Sequence, residues 1–263
     1  MSNIGVFDSG IGGLSVLQAL RSELPHENFV YVADSGHAPY GERDDAHVIA
    51  RSRALTAYLR AGHRIKALVI ACNTATAAAI DVLRRENPSL PIVGVEPALK
   101  PALAQSKTRR IGVMATRATL DSARFQVLRA ALTGQADIVC QPCDGLADAI
   151  EREDTIKTIA LCAYYTGAMG QFGTKNRQID TLVLGCTHYP FAIEHLRTLV
   201  GPDVGLIDTG MAVARQTRRM LLRLSALHRP GQCLLFSTGD GTHLQQAGQN
   251  WLGLNGPVRM LRI

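Results

Sequence analysis

Two segments far apart in the chain end in the same way. Val69-Ile70-Ala71-Cys72-Asn73-Thr74 is echoed by Val183-Leu184-Gly185-Cys186-Thr187-His188, an offset of 114 residues. A second echo sets Ile4-Gly5-Val6-Phe7-Asp8-Ser9 against Ile111-Gly112-Val113-Met114-Ala115-Thr116, offset by 107 residues. Two echoes at similar offsets point to an internal duplication. Each echoed segment is a short apolar run that stops at small or polar residues, the pattern of a strand buried on both faces of a parallel sheet. The expected fold is therefore α/β, with two pseudo-symmetric, open, mostly parallel lobes. Strand-end loops of such sheets bind ligands, so the active site is expected in the cleft between the lobes.

Punctuation along the chain fills in the elements. Behind the first apolar run, Leu14, Leu17 and Leu20 recur at helical spacing. A strand over 29–33 ends at Asp34, and Asp44 is placed to cap a helix carrying Val48, Ile49, Leu55 and Leu59. Strands follow at 67–71, 92–95, 204–207 and 233–236, and helices at 75–85, 97–105, 211–222 and 243–251. Taken from the residues alone, the lobes are two consecutive halves meeting near Pro97 to Pro101.

Several function classes recede on composition. No apolar run reaches the ~18 residues that cross a bilayer, and the start lacks the basic region and cleavage site of a secretory leader, so a cytoplasmic protein is expected. Six cysteines in 263 residues are too sparse for a disulfide scaffold and should be free thiols. The formal charge is +6, but the arginines are scattered as singles and pairs and aromatics are only 5%, which disfavours a nucleic-acid surface. A mildly positive field suits an acidic small molecule.

The chemistry concentrates at the echoed cysteines. Cys72 and Cys186 each stand where an apolar strand stops and a helix is expected to open, a position that favours a thiolate and leaves backbone N–H groups free for a carboxylate. Inverting a stereocentre requires a proton to leave one face and another to arrive at the opposite face. Two thiols from opposed halves can do this as base and acid, with no metal or organic cofactor. Asp8 lies at the first strand end, where it could accept a ligand ammonium or tune Cys72. His188, two residues after Cys186, can modulate that thiol near neutrality. The glycines in Gly10-Ile11-Gly12-Gly13 lack the spacing of a nucleotide fingerprint and read as a tight turn that lets backbone approach a small ligand. Pro39-Tyr40-Gly41 forms a turn after the second strand. Cys140-Gln141-Pro142-Cys143, placed after a strand and before a helix, could be redox-active or supply half a zinc site; with no second CxxC, no metal is expected. Cys162 and Cys233 lie in apolar runs and read as core.

Phe7-Asp8-Ser9-Gly10-Ile11-Gly12-Gly13-Leu14, Pro39-Tyr40-Gly41, Ala71-Cys72-Asn73-Thr74-Ala75 and Gly185-Cys186-Thr187-His188-Tyr189-Pro190 together resemble the glutamate racemases of the aspartate/glutamate racemase group, in order and spacing. The resemblance implies that Cys72 and Cys186 are the two bases, assisted by Asp8 and His188, with Glu151 orienting His188. Asp8, Ser9, Pro39, Tyr40, Gly41, Asn73, Thr74, Thr187 and His188 would line the glutamate site, and Thr116 and Thr119 would add carboxylate contacts. It further implies a first lobe of residues 1–97 plus 208–263, a second of 98–207, a homodimer, no cofactor, and supply of D-glutamate for peptidoglycan. Some members are regulated by a cell-wall precursor through an extension before the first strand; with three residues ahead of Ile4, that regulation is not expected. Aspartate is the close rival substrate. Readings of other classes are a thiol redox protein using Cys140 and Cys143 and a non-catalytic ligand-binding module. Pyridoxal phosphate chemistry is disfavoured because Lys66, Lys100, Lys107, Lys157 and Lys175 occupy no strand-end site.

Overall fold

The apolar runs pair side by side, and among the described residues every strand pairing is parallel. The computed structural model describes residues 2–221 and 230–263. In order, the chain forms β1 (Asn3–Asp8), α1 (Leu14–Glu23), β2 (Phe29–Ala33), α2 (Asp45–His63), β3 (Ile65–Ile70), α3 (Asn73–Glu86) and β4 (Ile92–Gly94). There follow α4 (Leu99–Gln105), β5 (Arg110–Ala115), α5 (Arg117–Asp121), α6 (Ala123–Ala130), β6 (Asp137–Pro142), α7 (Leu146–Glu151) and α8 (Thr155–Met169). Then come β7 (Thr181–Leu184), α9 (Ile193–Val200), β8 (Gly205–Ile207), α10 (Gly210–Met220), β9 (Cys233–Ser237), α11 (Thr242–Leu252) and β10 (Val258–Met260). The helix expected over 211–222 ends on a residue outside the described ones.

Two compact units result: Met1–Val95 with Gly210–Ile263, and Glu96–Thr209. The first holds a sheet of order β10-β9-β2-β1-β3-β4, the second a sheet of order β6-β5-β7-β8. The order β2-β1-β3-β4 thus recurs as β6-β5-β7-β8, with the echoed segments on corresponding strands. The duplication read from the sequence is a duplication of topology. It is not carried by two consecutive halves, because β9 pairs with β2 and β10 with β9. The consequence is visible in burial: β2 is buried along its whole length, whereas its counterpart β6, at a sheet edge, is largely half-exposed.

The cores follow from strand pleating, which sends alternate side chains to opposite faces. In the first unit Val30, Val32, Leu68 and Ile70 pack with Leu55 and Leu59 of α2 and Ala79 and Leu83 of α3. In the second, Met114, Leu182 and Leu184 pack on one face with Cys162 and Met169 of α8 and Leu196 of α9. Ile111, Val113 and Val183 pack on the other with Leu99 and Ala102 of α4 and Phe125 of α6. Cys162 is core as expected, but Cys233 is only half-buried. All six cysteines are free thiols. Among the described residues no helix is long and apolar enough to cross a membrane.

Asp44 caps α2 as the sequence suggests, its carboxylate accepting the His47 N–H at 2.8 Å. Replacing it by Ala leaves that N–H without its partner. The variant D44A is expected to lose about 1 kcal/mol of stability, seen as a lower urea midpoint at unchanged slope.

Candidate active site

In the first unit the site residues gather at the C-terminal ends of β1 and β3. Asp8 ends β1 and is fully buried. Its Oδ1 accepts the Ser9 N–H at 2.7 Å, and its Oδ2 accepts the Gly13 N–H. Gly13 is needed for close approach, since a Cβ there would lie 2.7 Å from the Asp8 Cβ and 2.8 Å from the Tyr31 hydroxyl. The glycine turn therefore serves Asp8 first: one of its amides is spent on the carboxylate.

Cys72 stands just past β3 in extended conformation and caps α3, its Sγ accepting the Ala75 N–H at 3.4 Å. The thiol also reaches the Ser9 hydroxyl at 3.9 Å. Asn73 and Thr74 open α3 and are buried. The Asn73 amide donates to the Val95 carbonyl at 3.4 Å, while its Oδ1 is buried with no hydrogen-bond partner. An orphaned buried acceptor of this kind is costly unless a ligand or water supplies the donor.

Pro39, Tyr40 and Gly41 lie in a short turn, with Pro39 preceded by a cis peptide bond. Tyr40 is no surface aromatic: it is 1% exposed, and its hydroxyl donates to Asp34 Oδ2 at 2.5 Å. Asp34 also accepts two hydrogen bonds from the Arg51 guanidinium, each 2.9 Å, and one from the Thr238 hydroxyl at 2.7 Å. Burial alone would raise the Asp34 carboxyl, but hydrogen bonds from Arg51, Tyr40 and Thr238 outweigh it and hold the group below the usual carboxylate range. The Tyr40 phenol is pushed far up by burial and by the Asp34 charge. Sequence reasoning missed this cluster. Its one sequence signal is that Asp34 directly follows β2 much as Asp8 ends β1; Arg51 is brought to it by α2, and Thr238 directly follows β9.

In the second unit Cys186, Thr187 and His188 follow β7, and all three are buried. Here an expectation fails. Cys186 does not open an α-helix: a 3-10 turn over Tyr189–Ala192 follows it, and α9 starts only at Ile193. The cause is Pro190. The Cys72 carbonyl receives an α-helical bond from the Thr76 N–H at 2.9 Å, but the residue four after Cys186 is a proline without an N–H. The Cys186 carbonyl is bonded instead by the Tyr189 N–H at 3.1 Å.

What Cys186 has in place of a helix end is a charged chain. His188 Nδ1 lies 3.8 Å from Cys186 Sγ, and His188 Nε2 lies 2.6 Å from Glu151 Oε2. Burial would lower the His188 pKa, but its hydrogen bonds to Cys186 and Glu151 and their charges more than offset this and raise it well above the ordinary histidine value. Protonated, His188 donates from both ring nitrogens.

Thr116 and Thr119 lie at the start of α5. The Thr116 hydroxyl caps that helix on the Thr119 N–H at 3.2 Å and donates to the Thr119 hydroxyl at 2.9 Å. The CxxC pair does not follow a strand as expected but straddles the end of β6, its two cysteines facing opposite sides of the sheet. Cys140 lies inside β6, paired with Val113, and packs on the cluster of α4 and α6, whereas Cys143 packs on the opposite cluster with Cys162. Burial pushes both thiols up, which works against redox reactivity. Among the described residues no group of three or more His, Cys, Asp or Glu side chains is placed to hold a metal ion.

The family model of Asp/Glu/Hydantoin racemases matches residues 4–217. A glutamate racemase of Methylococcus capsulatus is 46% identical over 241 residues, covering 90% of this chain and 86% of that protein. The crystal structure of a glutamate racemase isoform of Bacillus anthracis superposes with a TM-score of 0.87 at 30% identity, covering 100% of this chain and 98% of that one. The glutamate racemase of Francisella tularensis, crystallised with D-glutamate, gives a TM-score of 0.82 at 25% identity over 99% and 97% of the two chains.

The His188 chain has a pH signature. A histidine whose folded pKa lies above its unfolded value of ~6.5 contributes stability that is complete below that value and is lost as pH rises through the folded pKa. In E151Q the His188 resonances are expected to titrate at lower pH than in the parent, followed by NMR. The stability gap between the two proteins should be widest near pH 6 and narrow toward alkaline pH.

Proposed function

The chain belongs to the Asp/Glu/Hydantoin racemase family, and on that premise we propose that it interconverts L- and D-glutamate by passing the Cα proton between Cys72 and Cys186. One cysteine, as thiolate, takes the proton from one face of Cα; the other, as thiol, delivers a proton to the opposite face. The products are the mirror-image amino acid and the same two sulfurs with their protonation exchanged. Cys186 acts as base on the L form and Cys72 on the D form. No organic cofactor enters this scheme.

The observation that carries the reading is the Cys186–His188–Glu151 chain, which sets an ionisable relay beside one of the two echoed thiols. Glu151 acts through His188, fixing the ring and favouring its protonated form. On the other side Asp8 and Ser9 serve Cys72. The orphaned Asn73 Oδ1 is a ready acceptor for the substrate ammonium, and the first-turn N–H groups of α3 suit a carboxylate and the negative charge that develops as Cα–H breaks. Thr74 and the Pro39-Tyr40-Gly41 turn, with Tyr40 held by Asp34, are the further substrate contacts assigned to the first unit, and Thr187 is that of the second. Thr116 and Thr119, whose hydroxyls bond one another, contribute at most one further carboxylate contact. Glutamate as substrate is supported by the glutamate racemase of Methylococcus capsulatus, matched over nine-tenths of the chain. The same resemblance supports a cytoplasmic homodimer that supplies D-glutamate for peptidoglycan.

The test is polarimetry of the purified protein with L-glutamate and, separately, L-aspartate. Racemisation of glutamate is expected. Cys72→Ser or Cys186→Ser should each lower it by about a thousandfold or more, a loss of some 4 kcal/mol in transition-state stabilisation. Cys140→Ala should retain most of the activity. Inversion of neither amino acid, or loss confined to the Cys140 variant, contradicts the proposal.

A further inference from the structure

Helix α8 is apolar on the side that faces away from its own unit. Its inner face buries Thr158, Cys162, Tyr165, Thr166 and Met169. A helix with one buried stripe ordinarily carries polar and charged side chains opposite it. Here Ile156 is 85% exposed, Tyr164 69% and Ile159 44%. Ala160, Ala163 and Gly167 are exposed between them. Successive steps of three and four residues join all six into one continuous stripe along the helix.

The stripe is self-complementary. Read from either end it has the same spacing, with Ile156 corresponding to Gly167, Ile159 to Tyr164, and Ala160 to Ala163. Two copies of α8 laid antiparallel about a twofold axis would therefore set each Ile156 over the bare backbone of a Gly167 and each Ile159 beside a Tyr164. The two alanine positions at the centre would let the helices approach closely. A Cβ on Gly167 would meet nothing within 4 Å, so the surface there is open to receive a side chain.

Charge at the two ends agrees with this arrangement. Exposed Glu153 and Asp154 precede the helix, and exposed Lys175 and Arg177 lie in the turn that follows it. The nearby bases Arg152 and Lys157 are already paired with Asp148. Antiparallel copies bring the acidic end of one helix to the basic end of the other. This is what an isologous contact requires, because one patch must complement itself.

We propose that the exposed face of α8 is the contact between two copies of this chain, packed antiparallel about a twofold axis between Ala160 and Ala163. The proposal rests on the homodimer reading above and locates its interface. With 15 residues α8 is about 22 Å long. A pair of such helices supplies the apolar centre of an interface of ordinary size, about 800 Å² per partner, and the charged ends supply its rim.

Sedimentation equilibrium of the full chain tests it, alongside A160E and I156D, both on solvent-facing positions. The parent should be a dimer, and each variant should raise the dimer dissociation constant at least about tenfold, because a carboxylate is buried twice per interface. Circular dichroism and glutamate racemisation by the isolated variant report that the fold is intact. The double variant A160E/A163R, whose new charges oppose one another across the axis, should recover dimerisation. A parent that stays monomeric overturns both the homodimer reading and the proposed face. A dimeric parent whose association is unchanged in A160E and I156D overturns the face alone.

Discussion

The candidate site depends on one backbone hydrogen bond made twice. The Ala71 N–H donates to the Phe7 carbonyl at 2.7 Å, and the Gly185 N–H donates to the Met114 carbonyl at 2.7 Å. Each is the last rung of a parallel ladder, and each leaves the next residue, Cys72 or Cys186, to step off the sheet at the edge where parallel sheets bind ligands. Because the strands are buried on both faces, a slip of one residue would turn apolar side chains into the wrong layer. The ladder therefore fixes the height of each thiol within its unit.

From that shared frame the two units diverge in how they supply charge. In the first, carboxylates sit on the strand ends themselves: Asp8 ends β1 and Asp34 follows β2. The corresponding residues of the second are Ala115 and Cys143, since the Asp34 N–H bonds to the Asp8 carbonyl and the Cys143 N–H to the Ala115 carbonyl, each at 2.9 Å. The second unit brings its carboxylate from α7, as Glu151, and passes its influence through His188 to Cys186. The helix end at Cys72 and the proline-enforced turn at Cys186 extend this difference. One thiol is set by backbone N–H groups, the other by a charged side-chain chain.

Much of this is legible in the sequence where physics is local. Apolar runs, the echoes, the Asp44 cap and the position of both cysteines at strand ends follow from a few adjacent residues. The helices α5, α6 and α7 are too short for periodicity to declare them, and α8 is apolar on both sides and so shows no stripe to read. The Asp34–Arg51–Thr238 cluster joins residues up to 204 apart and has no local signature. Glu151 lies 37 residues from His188, and family resemblance rather than spacing is what links the two in the sequence. The 3-10 turn after Cys186 could have been read from Pro190, which removes the N–H that an α-helical bond to the Cys186 carbonyl needs.

The two-base account is tested most directly by following where hydrogen goes. L-Glutamate is incubated with the protein in D₂O, the reaction is stopped at low conversion, and the enantiomers are separated and assayed for deuterium at Cα. With separate bases on opposite faces, the D-glutamate formed carries solvent deuterium while the recovered L-glutamate keeps its original hydrogen. Retention of the original hydrogen in the D-glutamate, or equal deuterium in both pools from the start, would contradict the assignment of Cys72 and Cys186 as opposed acid and base.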